Sequence, residues 1–186
     1  MTSAVQLRRA VWTLRRGGVV AYPTEAVWGL GCDPENDAAL RRLLHMKSRP
    51  WHKGLILVAA DTQQLSPYIT RLPDPLWARV SATWPGPATW VMPCAPGVSR
   101  YVTGRHDSIA VRVSAHPLVQ ALCRSFGHPL ISTSANVAGL KPARTILQVR
   151  SAMNLPPDYV LPGQTGGASS PSVIRDALTG EVLRAG

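Results

Sequence analysis

A chain of 186 residues, 45% hydrophobic and 16% charged, is long enough to bury one core and too apolar to be disordered. Lysine and arginine number 20 against 10 acidic residues, giving a formal net charge of +10. That excess points to a polyanionic partner, whether nucleic acid, nucleotide phosphates or both. Cys32, Cys94 and Cys123 stand alone without a C-x-x-C pair, and the five histidines show no H-E-x-x-H spacing. A disulfide framework and a catalytic metal held by protein side chains are both disfavoured. The N-terminal arginines flank no uninterrupted apolar stretch, so the chain is expected to be cytoplasmic, with no membrane span.

In chain order, apolar residues at Val5, Leu7, Val11, Trp12 and Leu14 predict an amphipathic helix over 4–16, ended by Gly17-Gly18. Val19–Tyr22 reads as a buried strand stopped by Pro23. Asn36 or Asp37 caps a helix over 38–46, and Leu55–Ala60 is a second buried strand. A helix over 74–84 ends at Pro85-Gly86-Pro87. Strands follow at 89–92 and 109–113, then a helix over 116–126 and a strand over 130–133. Residues 145–152 are expected to be helical, 155–171 a Pro/Gly/Ser-rich loop, and 173–174 with 181–183 a closing hairpin. Alternating strands and helices that give way to hairpins predict one α/β domain over 1–186 with a mixed sheet. The 17 prolines and 15 glycines imply long shaped loops, where ligand sites usually sit.

Three segments could carry chemistry. In Tyr22-Pro23-Thr24-Glu25-Ala26-Val27-Trp28-Gly29-Leu30-Gly31 a strand runs into a loop fixed by proline and glycine. That leaves the Thr24 hydroxyl at the strand's carboxyl end, a common ligand position in α/β folds. Lys47-Ser48-Arg49-Pro50-Trp51-His52-Lys53-Gly54 gathers three cations in a stiffened loop, which suits a triphosphate in a partly desolvated place. Only Lys47, Lys53 and Lys141 are lysines in this arginine-rich chain, which sets the Lys47/Lys53 pair apart. Ser132-Thr133-Ser134-Ala135-Asn136 ends an apolar strand in hydroxyls and an amide, able to grip phosphate oxygens or the water shell of magnesium. Each segment also has a plain structural use, as a rigid turn, a solvated charge run or a strand cap. Arg112, inside the apolar run 109–113, needs an anion, either a substrate carboxylate or a protein acid such as Asp107. No G-x-S-x-G elbow, Walker A loop or dinucleotide fingerprint is present, so catalysis would rest on positioning and charge stabilisation.

Taken together, P-T-E-A-V-W-G-L-G, K-S-R-P-W-H-K-G, W-P-G-P-A-T-W, S-I-A-V-R-V, S-T-S-A-N-V-A-G, S-V-I-R-D and L-R-A-G resemble the YrdC/TsaC family of threonylcarbamoyl-AMP synthases, in order along nearly the whole chain. The likeness is to the short bacterial form. It implies an open, twisted sheet flanked by helices around a large basic cavity. The implied reaction takes L-threonine and bicarbonate (or CO2) to N-carboxy-threonine, whose carboxylate attacks the α-phosphate of ATP with Mg2+ assisting. The product serves threonylcarbamoyladenosine modification of tRNA next to the anticodon.

By motif, the resemblance implies that Lys47, Arg49, Ser134 and Asn136 form the phosphate and active centre, with Arg184 reaching the nucleotide. It implies that Thr24 holds threonine, that Arg112 pairs with the threonine carboxylate, and that Ser132 and Ser172 line the amino-acid pocket. Mg2+ would be held by the ATP phosphates, and partner proteins of the tRNA-modification pathway would accept the adenylate. Two positions depart from the pattern: Gly54, where many relatives carry proline, and Val58, near which many carry histidine. The alternative is an RNA-binding module for tRNA or double-stranded RNA using the same basic cavity without catalysis. The few aromatics interleaved with the basic residues speak against stacking recognition.

Overall fold

The computed structural model describes residues 2–151 and 155–186. Helix α1 (Ala4–Arg15) begins in a capping box: the Gln6 amide donates to Ser3 Oγ at 3.2 Å and the Ser3 amide to Gln6 Oε1 at 2.8 Å. Strands β1 (Val20–Pro23) and β2 (Trp28–Gly31) follow, then α2 (Asp37–Met46), capped by the Asn36 side chain. Next come β3 (Ile56–Ala59), α3 (Asp74–Ser81), β4 (Ala88–Pro93), the short α4 (Arg100–Thr103) and β5 (Ser108–Val113). The remainder is α5 (Pro117–Phe126), β6 (Leu130–Ser134), α6 (Ile146–Ser151), β7 (Tyr159–Val160), β8 (Val173–Asp176) and β9 (Val182–Arg184).

The strands form one sheet in the order β7-β1-β2-β6-β3-β5-β4-β8-β9. Pairs β1/β7, β3/β5 and β4/β8 are parallel and the others antiparallel. The α/β class, the mixed sheet and the closing hairpin are therefore as expected. Among the strands and α-helices of the described residues, three elements are additions. Residues 28–31 form a strand where a loop was expected, 159–160 pair inside the Pro/Gly/Ser-rich stretch, and 100–103 make one helical turn. The expected helix over 145–152 is found at 146–151, and Ala152 lies outside the described residues.

The sheet's two faces differ in what covers them. One packs Leu57, Ala59, Trp90, Met92, Ile109, Val111 and Ile131 against α2 through Leu40 and Leu43. The other is closed only at one end, where Val20, Tyr22, Val58 and Leu130 meet α1 and α5. Because successive strand residues point to opposite faces, each apolar core position has a neighbour aimed at the open part. In β5 the buried Ile109, Val111 and Val113 alternate with the half-buried Ser108, Ala110 and Arg112.

Close approach of β2 to β6 fixes Gly31. A Cβ there would lie 2.5 Å from the Ile131 carbonyl oxygen and 2.8 Å from the Tyr22 ring. Gly31→Ala is expected to cost about 2 kcal/mol or more through overpacking. Urea unfolding checks this, with a fall in midpoint at unchanged slope.

Candidate functional site

The open part of that face is the floor of a cavity of about 660 Å3. Register aligns its side chains in rows. Val58 stands beside Arg112, Thr89 beside Ile174 and Ile174 beside Arg184, while Ile56 neighbours Ala110 and Ser132. Arg49, Lys53, Arg112 and Arg184 line the cavity together with two carboxylates, Glu25 and Asp176. Asp176 is committed to a turn, its Oδ1 accepting from the Leu178 and Thr179 amides at 2.8 and 3.0 Å. Glu25 faces Arg112, with Nη2 2.7 Å from Oε1.

Seven of the nine residues named above line this cavity: Thr24, Arg49, Arg112, Ser132, Ser134, Ser172 and Arg184. Arg49 is fixed by its own loop, since Nε and Nη2 donate to the Gly54 carbonyl at 3.2 and 2.8 Å. Gly54 has φ +64°, and a Cβ there would meet the Thr103 carbonyl oxygen at 2.9 Å. This backbone geometry is closed to proline, so here glycine sets the arginine's anchor. Burial, and after it the nearby Arg184, pulls the Arg49 pKa down. Arg184 Nη2 donates to the Ser172 carbonyl at 2.9 Å, and the Ser172 and Thr89 hydroxyls meet at 2.8 Å. The Thr24 hydroxyl donates to the Val27 carbonyl at 2.7 Å, which leaves its oxygen as an acceptor.

Lys47 and Asn136 are buried and are not among the residues that line the cavity. Lys47 is 3% exposed, and its Nζ donates to the carbonyls of Ser134 and of Asn136, the latter at 2.7 Å. The Asn136 amide nitrogen donates to the Val137 and Leu140 carbonyls at 2.9 and 2.7 Å, and its Oδ1 is buried without a partner. Lys47 thus ties down the exit of β6, where the chain leaves Ser134. The reason is local: as the C-cap of α2 its side chain turns inward with the helix's buried face, while Arg49 turns out.

The suggested Asp107 partner of Arg112 is replaced by Glu25. Asp107 precedes β5, five strand residues or roughly 16 Å from Arg112. Arg112 Nε donates to the Gly86 carbonyl at 2.8 Å, and Nη2 makes its charge contact with Glu25 outside hydrogen-bond alignment. Among the described residues nothing bonds Nη1. Glu25 Oε1 accepts from Ser114 Oγ at 2.7 Å and from the Ala115 and His116 amides at 3.1 and 3.2 Å. Burial works to raise the Glu25 carboxyl, but Arg112, the Ser114 hydroxyl and the backbone amides outweigh it and hold it below the usual carboxylate range. Glu25 stood inside a recognised motif with no role assigned to it. Its signal was the lone acid in a loop otherwise built from small, apolar and hydroxyl residues. Thr89, His106 and Ser108 also line the cavity and carried no signal beyond strand alternation or loop position.

A family model described as Sua5_yciO_yrdC, telomere recombination, matches residues 13–186. The chain belongs to the Sua5/YciO/YrdC family. Members similar to it include the threonylcarbamoyl-AMP synthase of Stenotrophomonas maltophilia (strain K279a), 54% identical over 96% of this chain and 97% of that one. The corresponding synthase of Hahella chejuensis (strain KCTC 2396) is 53% identical over 98% of this chain and 99% of its own. Among solved members, P. abyssi Sua5 complexed with L-threonine superposes with a TM-score of 0.86 at 30% identity, covering 91% of this chain and 50% of that chain.

Burial, and secondarily Arg49, lowers the Lys47 pKa from 10.5 to about 8. The native state therefore holds fewer protons than the unfolded chain between those values. The penalty for the buried charge is complete below about pH 8 and fades as pH rises toward 10.5. Relative to Lys47→Met, the wild type is expected to gain on the order of 2 kcal/mol of stability between about pH 7 and pH 10. Paired urea titrations at the two pH values check this difference.

Proposed function

We propose that this chain is a threonylcarbamoyl-AMP synthase, joining L-threonine, bicarbonate or CO2, and ATP into threonylcarbamoyl-adenylate with release of pyrophosphate. One observation carries the reading. In a chain half identical to synthases of that name, seven separately placed residues converge on a single cationic cavity.

In this reading the cavity has two ends. Arg49, Lys53 and Arg184, three cations without a salt bridge among the described residues, receive the triphosphate. Ser134, tied down by Lys47, presents its hydroxyl beside them. Gly29 stands opposite Ser134 on β6 and diagonal to Ser132, and a Cβ at Gly29 would come within 3.5 Å of Ser132 Oγ and 3.1 Å of Thr24 Cγ2. That narrow slot, with Arg112 at its rim, takes the amino acid. The carboxylate of N-carboxy-threonine attacks the α-phosphorus, the bond to the β-phosphate oxygen breaks, and pyrophosphate leaves. Charge develops on phosphate oxygens, so fixed guanidiniums in a partly desolvated site lower the barrier. Magnesium enters as MgATP. The neutral hydroxyls of Ser132 and Ser134 suit a hydrated ion held by phosphate, and no His/Cys/Asp/Glu group able to hold a metal occurs among the described residues.

The adenylate is labile, so the reading includes partner proteins that accept it for modification of tRNA next to the anticodon, in the cytoplasm. No helix among the described residues is long and apolar enough to cross a membrane. The names of the relatives do not favour an RNA-binding module without catalysis. Pyrophosphate release from ATP should require both threonine and bicarbonate. Arg49→Ala is expected to cut it by about 100-fold, the scale of one lost charge-stabilising donor. Release independent of threonine would overturn the reading.

A further inference from the structure

We propose that Glu25 reads the amino group of the amino-acid substrate, and that with Arg112 it forms a zwitterion clamp at one end of the cavity. The inference rests on the function proposed above for the reaction, and on the following geometry for the residue.

All contacts of the Glu25 carboxylate fall on one oxygen. Oε1 meets Arg112 Nη2, Ser114 Oγ and the Ala115 and His116 amides. Nothing among the described residues bonds Oε2, which is also not among the buried atoms lacking a partner. The side chain is 17% exposed and lines the cavity. On Arg112, Nε is held by the Gly86 carbonyl and Nη2 lies against Glu25, so Nη1 is the nitrogen left open. One free acceptor and one free donor thus remain on two groups that are in contact with each other and held by the backbone. An α-amino acid presents the complementary pair, an ammonium and a carboxylate on adjacent carbons.

Charge supports the same assignment. With Arg49, Lys53 and Arg184 in the same cavity, an unpaired Arg112 would be a fourth phosphate site. Glu25 cancels that charge, leaving one end suited to a polyanion and the other to a net-neutral zwitterion. A purely structural Glu25 would need no unbonded oxygen on a cavity-lining residue. Being held in its charged form, Glu25 is a poor base. It binds the ammonium, and the deprotonation that precedes carboxylation is not its task.

Glu25→Gln tests the clamp, because the amide keeps a carbonyl oxygen for Ser114, Ala115 and His116 while it removes the charge and puts an NH2 donor in place of Oε2. Calorimetry would give Kd for L-threonine, for 3-hydroxybutyrate (threonine without its amino group) and for ATP. The expected result is threonine binding weakened about tenfold or more, the scale of one charged hydrogen bond. Binding of 3-hydroxybutyrate and ATP should stay within about twofold of wild type. Parallel weakening of threonine and 3-hydroxybutyrate would mean that Glu25 acts only by placing Arg112, and unchanged threonine binding would mean that it contributes nothing; either overturns the clamp. If the variant does not fold, the wild type decides. Binding of 3-hydroxybutyrate within about threefold of threonine overturns the proposal, and a larger gap supports it. Binding is read without turnover, so a wild type that binds threonine in this pattern but releases no pyrophosphate would reject the proposed reaction and leave the clamp standing.

Discussion

The two-residue alternation of the central strands is the constraint on which the rest of the structure depends. Each strand has to supply core to one face, and in doing so it aims every second side chain at the other. Where α1 and α5 cover that second face, the alternate positions are Tyr22, Val58 and Leu130 and the layer closes. Beyond their reach the alternate positions are Thr89, Ala110, Arg112, Ser132 and Ile174, and the layer stays open as a cavity. A one-residue slip of β5 against β3 would exchange Arg112 for Val111, placing a charge in the core and an aliphatic side chain in the site. Burial of Ile109, Val111 and Val113 therefore fixes the site's geometry as firmly as any polar contact in it.

Electrostatics then divides the space that packing creates. Arg49 and Arg184 are anchored through carbonyl oxygens of Gly54 and Ser172, contacts that orient a guanidinium without neutralising it. Arg112 is anchored by a carbonyl and a carboxylate, which orient it and also cancel its charge. The same residue type is thus left charged at two places in one cavity and compensated at a third, and the difference is one acid, Glu25. That acid lies in the β1–β2 turn, whose backbone also holds the loop following β7. The Gly166 amide donates to the Thr24 carbonyl at 3.0 Å and the Ala168 amide to the Glu25 carbonyl at 2.9 Å. Through this short segment the cavity's floor and one side wall are built as a single unit.

The sequence carried the element order well, because buried runs such as 109–113 and amphipathic stretches such as 4–15 declare their period. It carried β2 poorly. Trp28-Gly29-Leu30-Gly31 looks like a loop by its glycines, yet those glycines are there to let β2 lie against Tyr22 and Ile131. The cavity residues were legible as motifs, since polar groups at strand ends stand out. Their division into cavity-lining and fully buried groups was not legible. Lys47 and Arg49 share a loop and a charge, but only their positions relative to the end of α2 send one into the protein and the other into the cavity. The partner of Arg112 was equally hidden, because Glu25 reaches it through tertiary packing across 87 positions of sequence.

The account holds that nucleotide and amino acid occupy one cavity over one sheet face, at ends set apart by charge. Thermal unfolding with ATP alone, with threonine alone and with both ligands together tests this most directly. Mutual ordering in one cavity predicts a rise in midpoint with both ligands that exceeds the sum of the separate rises. A rise with both ligands no larger than that sum, or no response to threonine at all, would contradict it.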